Sequence, residues 1–203
     1  MLLLRFLHLQ RVRGFDPPTS PHMDDEAAAW LEQQLRKTRL YLEYGSGGST
    51  VLASKLAVPT ISIESDRFYA AAVRSVLPAP DQVRLLVPKM GLTGEWGLPV
   101  FFRGRKGRRY VMAPFDLLDG RFPDLVFIDG RYRVAAALES ARRAAQAGSS
   151  ARLMLDDYAE RPNYHVLEQY LGVPERIGRA ALFTIGRRQI AEEIVEEQLP
   201  DHR

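Results

Sequence analysis

Leu125-Val126-Phe127-Ile128 stands between Asp124 and Asp129 with no polar residue inside it. A strand that is apolar at every position has both faces covered, and sheets covered on both faces are built mostly of parallel strands with helices on either side. A chain with such a strand must also supply the covering helices, and this one does. Arg39 to Tyr44 is short, apolar and followed by glycines, as a strand running into a turn would be. Gly48 to Ala57 reads as a helix with Val51, Leu52 and Leu56 facing inward. Thr60-Ile61-Ser62-Ile63-Glu64 is β-branched and reads as the second strand. Asp66 caps a helix to about Leu77, and Val83–Val87 is the third strand. Asp124–Asp129 is the fourth, Arg133 to Ala147 is an alanine-rich helix stopped by Gly148, and Arg152–Leu155 is the fifth strand.

Strands alternating with helices imply an α/β, doubly wound, mostly parallel sheet with helices on both faces. A helix near Asn163–Leu171, candidate strands near Glu175–Arg179 and Ala181–Ile185, and a polar helix at Ile190–Glu197 extend this to seven strands. Upstream, Asp24 or Asp25 caps a helix to about Lys37, with Ala27, Ala28, Leu31 and Leu35 on one face. The 203 residues suit one large domain, expected over 24–203. Residues 1–23 read as a tail and linker. Residues 1–15 lack acids and carry Arg5, Arg11 and Arg13, and Asp16-Pro17-Pro18-Thr19-Ser20-Pro21 has three prolines that oppose regular structure. Pro88 to Arg109 is a long irregular stretch with five glycines, expected to be mobile.

Several function classes fall away on composition. With no cysteine there is no disulfide, thiolate zinc site or cysteine nucleophile. That fits a reducing compartment, and a cytoplasmic location is the expectation. No apolar run approaches the roughly 20 residues of a membrane helix, so no membrane partner is expected. The net charge of +3 is small for a global nucleic-acid footprint. Arg103-Gly104-Arg105-Lys106-Gly107-Arg108-Arg109 is a local basic run, read as a solvated loop rather than an RNA contact.

Ligands of open α/β sheets sit at the carboxyl ends of the strands. The first such end is Glu43-Tyr44-Gly45-Ser46-Gly47-Gly48, whose glycines let a backbone turn sharply against a ligand. About twenty residues on, the second strand ends in Glu64 and Ser65, where a carboxylate can accept both hydroxyls of a ribose. A dinucleotide fingerprint would need a third glycine where Thr50 stands, and no P-loop lysine follows the turn. Glu43, two residues before the first glycine, can pair with an ammonium group. These features suit an adenosine-type ligand carrying an amino acid and no phosphates.

At Leu42–Thr50, Ile61–Asp66 and Asp124–Gly130 the chain resembles the class I S-adenosylmethionine-dependent methyltransferases, over roughly Leu40 to Ile185. The resemblance implies a Rossmann-like fold. It places the methionine part of S-adenosylmethionine at Glu43, Gly45, Ser46, Gly47 and Gly48, the ribose at Glu64 beside Ser65, and Asp129 at the reacting end. Asp129, Asp156 and Asp157 end the fourth and fifth strands, and crowded carboxylates call for a proton or cation between them. This looks like the metal-dependent, catechol O-methyltransferase-like subset, implying Mg2+ or another divalent cation at Asp129, Asp156 and Asp157. Asp157 stands where that subset has asparagine, and Tyr132 where it has a lysine base. Asp129 and His165 are therefore the candidate catalytic groups, and Arg131 and Arg133 are candidate clamps for a carboxylate or phosphate.

The expected function is methyl transfer to a small or sugar-like molecule, at oxygen. The alternatives are an inactive methyltransferase-like binding module, an NAD-type dehydrogenase and an RNA methyltransferase. The sequence sets no oligomeric state.

Overall fold

In the computed structural model, which describes residues 2–100 and 104–201, the apolar run 125–128 is the centre of the sheet. We name the elements α1 (Leu2–His8), α2 (Asp25–Leu35), β1 (Tyr41–Tyr44), α3 (Gly48–Lys55), β2 (Thr60–Ile63), α4 (Arg67–Ser75), β3 (Val83–Leu86), α5 (Gly104–Met112), β4 (Leu125–Ile128), α6 (Arg133–Gln146), β5 (Ala151–Leu155), α7 (Leu167–Leu171), β6 (Glu175–Ile177), β7 (Ala180–Ile185) and α8 (Glu192–Gln198). The seven strands lie in the order β3-β2-β1-β4-β5-β7-β6. β1 to β5 are parallel, and β7 runs antiparallel to β5 and β6, so the sheet is mixed.

All four residues of β4 are buried. Val126 and Ile128 join the core under α6, while Leu125 and Phe127 join the core under α2 and α3. Each such side chain contributes about 1.5–3 kcal/mol relative to exposure, so β4 alone anchors both layers. The register then levels the strand ends. Tyr44 pairs with Ile63 on one side and Ile128 on the other, and Ile128 pairs with Leu155. Gly45, Glu64, Asp129 and Asp156, the next residue on each strand, therefore emerge side by side along one edge.

Two expectations are corrected. Residues 2–23 are not a free tail. α1 runs into a wider helical turn at Leu9–Arg13, and Phe6, Phe15 and Tyr69 of α4 form a chain of rings with centroids 6.0 and 5.3 Å apart. Gln10 is buried and donates to Asp66 Oδ2 at 2.5 Å and to Thr93 Oγ1 at 3.0 Å. Arg179 donates to His22 O, and its backbone N–H donates to Asp24, which also caps α2. The prolines set an extended path, but that path lies on the domain.

The stretch from Pro88 to Arg109 is not irregular throughout, because α5 begins at Gly104. Arg103 and the two residues before it lie outside the described residues. Glycines and a high charge density mask α5 in the sequence; buried Tyr110 and Val111 explain it. The rings of Tyr44, Tyr110 and Tyr132 lie 5.8 and 5.7 Å apart, and Tyr44 Oη donates to Val111 O at 2.6 Å. The basic run is also partly spent: Arg108 pairs with Glu192 and Glu196 of α8, and Lys106 donates to Met90 O. Among the described residues, no helix is long and apolar enough to cross a membrane.

Candidate active site

The levelled strand ends open into a cavity of about 560 Å³, within the range of small-molecule sites. Its floor is Gly45–Ser49 after β1, Glu64–Asp66 after β2 and Asp129–Arg131 after β4. It sits where β1 and β4 lead to opposite sides of the sheet, the switch point at which such folds bind ligands. Phe6, Phe15, Pro18 and Met23 of the amino-terminal segment wall one side, and Glu95, Trp96 and Gly97 stand at another.

The glycine turn is built for close approach. Gly45 has φ +94°, and a Cβ there would sit 2.7 Å from Gly130 N, so β1 and β4 touch through backbone. A Cβ on Gly48 would strike the Ser20 carbonyl, which ties the amino-terminal segment to the first turn of α3.

Glu43 does not face the cavity. Its carboxylate lies beneath the turn and accepts hydrogen bonds from Tyr41, Ser49, Thr50 and Ser62, at 3.0, 2.9 and 2.7 Å for the first, second and last. Thr50 Oγ1 in turn accepts from Gly47 N. The expected ammonium contact is thus replaced by a scaffold role, stitching the turn to β1, β2 and α3. Burial pushes the Glu43 carboxyl up to about 7, against the opposing pull of its hydroxyl donors.

Glu64 does line the cavity. Its Oε2 accepts from Ser46 N and Oγ, and its Oε1 from Ser65 N and Oγ and from Asp66 N. Burial raises its pKa, and these donors oppose the rise. The Ser46 and Ser65 hydroxyls both bond to the Glu64 carboxylate, and Gly97 packs onto Ser65.

Asp129, Asp156 and Asp157 converge as expected, each with an oxygen within 4.8 Å of the others. Their partners are guanidinium groups. Arg179 grips buried Asp156 with both nitrogens, Nε at 2.8 Å and Nη2 at 2.6 Å, and lies 3.4 Å from Asp157. Arg133 is 2.7 Å from Asp129 and 3.1 Å from Asp157, and also donates to the carbonyls of Gly130 and Asp156. Arg161 approaches Asp157 at 3.4 Å. This donor set is a poor fit for a bare divalent ion, because every oxygen of the three carboxylates except Asp129 Oδ2 lies against an arginine nitrogen. Arg133, a candidate substrate clamp in the sequence, is 4% exposed and committed to this network.

Asp129 still reaches the cavity, with 37% of its side chain exposed. Burial pushes its carboxyl up to about 6; Arg133 pulls it down, and Asp156 and Asp157 push it up. His165 is elsewhere. It lies in the short 3-10 turn Pro162–Val166, exposed and stacked on Tyr158 at 4.8 Å, and does not line the cavity. Tyr132 is buried in the tyrosine ladder.

Sequence reasoning missed Asp66, Tyr69, Tyr110 and the whole amino-terminal wall. Phe6, Leu9 and Phe15 were the available signal, since scattered large apolar residues in a tail need somewhere to be buried.

No protein-family model matches the chain, and no curated protein matches it. Among solved structures, a methyltransferase-like protein from Silicibacter pomeroyi DSS-3 is 31% identical, with a TM-score of 0.79, covering 91% of this chain and 100% of its own. The chain belongs to the class I S-adenosylmethionine-dependent methyltransferase family. A hypothetical protein from Thermus thermophilus is 15% identical over 90% of this chain and 96% of its own, with a TM-score of 0.47. The CcbJ methyltransferase from Streptomyces caelestis is 15% identical over 76% and 58%, with a TM-score of 0.42. The cavity residues fit the cofactor usual in methyltransferases: a glycine turn with no lysine beside it, a buried carboxylate at Glu64 and a second carboxylate at Asp129.

Proposed function

We propose that the chain binds S-adenosylmethionine in this cavity and methylates an oxygen of a small-molecule acceptor. The observation that supports the reading is the convergence of Gly45–Gly48, Glu64 and Asp129 on one cavity at the switch point of the sheet. When bound, the cofactor supplies an electrophilic methyl group. Glu64 accepts the ribose hydroxyls in exchange for those of Ser46 and Ser65. The turn at Gly45–Gly48 lets backbone approach the amino-acid part. The amino-terminal segment and the Glu95–Gly97 turn exclude water, so alignment supplies most of the catalysis.

Asp129 is the proton-accepting group in this reading. Its Oδ1 is oriented by Arg133, leaving Oδ2 to take the proton of an acceptor hydroxyl. A carboxyl near 6 is ionised at neutral pH yet basic enough for the task. The positive charge that a divalent cation would bring is already present as Arg133 and Arg179, so no step runs through a metal.

Calorimetry with S-adenosylhomocysteine on wild type and Glu64→Ala tests the cofactor site. The expected result is at least a tenfold loss of affinity in the variant, from the loss of charge-assisted hydrogen bonds. Equal affinity places the cofactor elsewhere. Methyl transfer that survives Asp129→Asn unchanged removes Asp129 as the base.

A further inference from the structure

Arg131 lines the cavity two residues beyond Asp129, and it is the one arginine or lysine among the described lining residues. Its Nε is buried with no hydrogen-bond partner. Among the described residues no carboxylate forms an ion pair with it: Asp129 is held by Arg133, Asp156 by Arg179, and Asp157 by both and by Arg161. The contrast with Arg133 is direct, since every one of that side chain's nitrogens has an acceptor. Apart from His22, the other ionisable acids and bases at the wall are Asp16, Glu64, Asp66, Glu95, Asp129 and two tyrosines. An anion entering this cavity therefore has one permanent cation to meet.

A part-buried guanidinium without a partner is costly, and an anionic oxygen relieves the cost through charge-assisted, often bidentate hydrogen bonds. Position assigns the source of that oxygen. Along the edge β2-β1-β4, Glu64 stands at one end, the glycine turn in the middle and Arg131 at the other. A ribose on Glu64 and a methionine part on the turn leave Arg131 on the acceptor's side.

We propose that Arg131 anchors an anionic group, carboxylate or phosphate, on the methyl acceptor, so that the substrate class is a small acid carrying a nucleophilic hydroxyl. The proposal rests on the cofactor reading above. The same chemistry has a second source in the cofactor's own carboxylate, and the test separates the two.

Arg131→Gln keeps a hydrogen-bonding group on a shorter side chain and removes the charge. Because the Arg131 side chain has no ion pair to lose among the described residues, the variant is expected to fold, as checked by its melting curve; Arg131→Lys serves as a second variant. S-adenosylhomocysteine is titrated into each protein, and inorganic phosphate or benzoate is then titrated into the saturated complexes. The expected result is homocysteine-product affinity within about threefold of wild type, with anion binding weakened at least about tenfold in Arg131→Gln and partly retained in Arg131→Lys. A tenfold loss of S-adenosylhomocysteine affinity in Arg131→Gln, with no anion binding to the saturated wild type, assigns Arg131 to the cofactor's carboxylate and overturns the proposal. Equal anion binding in wild type and Arg131→Gln also overturns it. A wild type that binds anions through Arg131 but no S-adenosylhomocysteine overturns instead the cofactor reading, and with it the assignment to the acceptor.

Discussion

Replacing Arg179 by Met asks what neutralises the three carboxylates. Asp156 is fully buried, and both of its oxygens bond to the Arg179 guanidinium at 2.6–2.8 Å. Arg179→Met removes those bonds, the contact to Asp157 and the bond to His22 O, while the Asp24–Arg179 backbone bond survives. Breaking one partner from a buried pair costs about 3–5 kcal/mol. The lower end applies here, because the Arg179 side chain is 27% exposed, so water can reach the gap, and Arg133 still donates to the Asp156 carbonyl. About 3 kcal/mol in a chain this size lowers Tm by roughly 6–12 °C. Urea unfolding should show the loss, and Asp156→Asn in the same chain should recover part of it, giving a coupling energy of about 1 kcal/mol or more. The variant also leaves the Asp156 carboxylate without its counter-charge beside Asp129 and Asp157, which keep Arg133. Mg2+ or Ca2+ should then stabilise Arg179→Met, by about 1.4 kcal/mol at ten times its Kd, while leaving wild type unmoved. A loss under 1 kcal/mol in the variant, or wild-type stability and transfer activity that depend on Mg2+ and vanish with a chelator, would refute the reasoning.

Other outcomes follow from the same geometry. Gly45→Ala, at φ +94° with Gly130 N 2.7 Å from the new Cβ, should destabilise by about 2–4 kcal/mol and abolish S-adenosylhomocysteine binding; melting curves and calorimetry check both. Glu43 binds its proton more tightly folded, at about 7 against 4.5, so its stabilising contribution is complete below about pH 4.5 and is lost as pH rises through about 7. Glu43→Gln should flatten that fall by up to about 3 kcal/mol in urea titrations across pH, leaving the smaller slope from Asp129, whose exposed fraction lets water screen it. Trp96 is 82% exposed at the cavity wall, so S-adenosylhomocysteine should shift its fluorescence, and Trp96→Phe should erase the change. Phe15→Ala should loosen the amino-terminal wall on Tyr69 and weaken S-adenosylhomocysteine binding several-fold with little change in melting temperature.

Local chemistry determined much of this protein before any tertiary contact was known. An unbroken apolar run such as 125–128 has one stable setting, buried on both faces, and the alternation around it leaves few topologies. The cap at Asp66, and one at Asp24 or Asp25 that the structure settles as Asp24, were legible because a short side chain that accepts from free helix N–H groups acts within three residues. Gly45–Gly48, Glu64 and Asp129 were legible as a set, since parallel strands in register bring their carboxyl ends together.

What the tertiary structure alone decided is which way each charged side chain turned and what met it there. Glu43 sits on the face of β1 that packs under α3, so it was claimed by the hydroxyls of Tyr41, Ser49 and Thr50 and by that of Ser62 on the neighbouring strand. The three aspartates read as a cation site in one dimension, and Arg179, which meets them from the antiparallel end of the sheet, became their counter-charge. His165 lies close to the fifth strand end in sequence and outside the cavity in space. The amino-terminal segment looked like a tail because its burial partners, Tyr69, Thr93 and Asp66, lie more than fifty residues away. Residue type and short-range spacing carry hydrogen-bonding capacity; the partner that uses it is set by long-range packing.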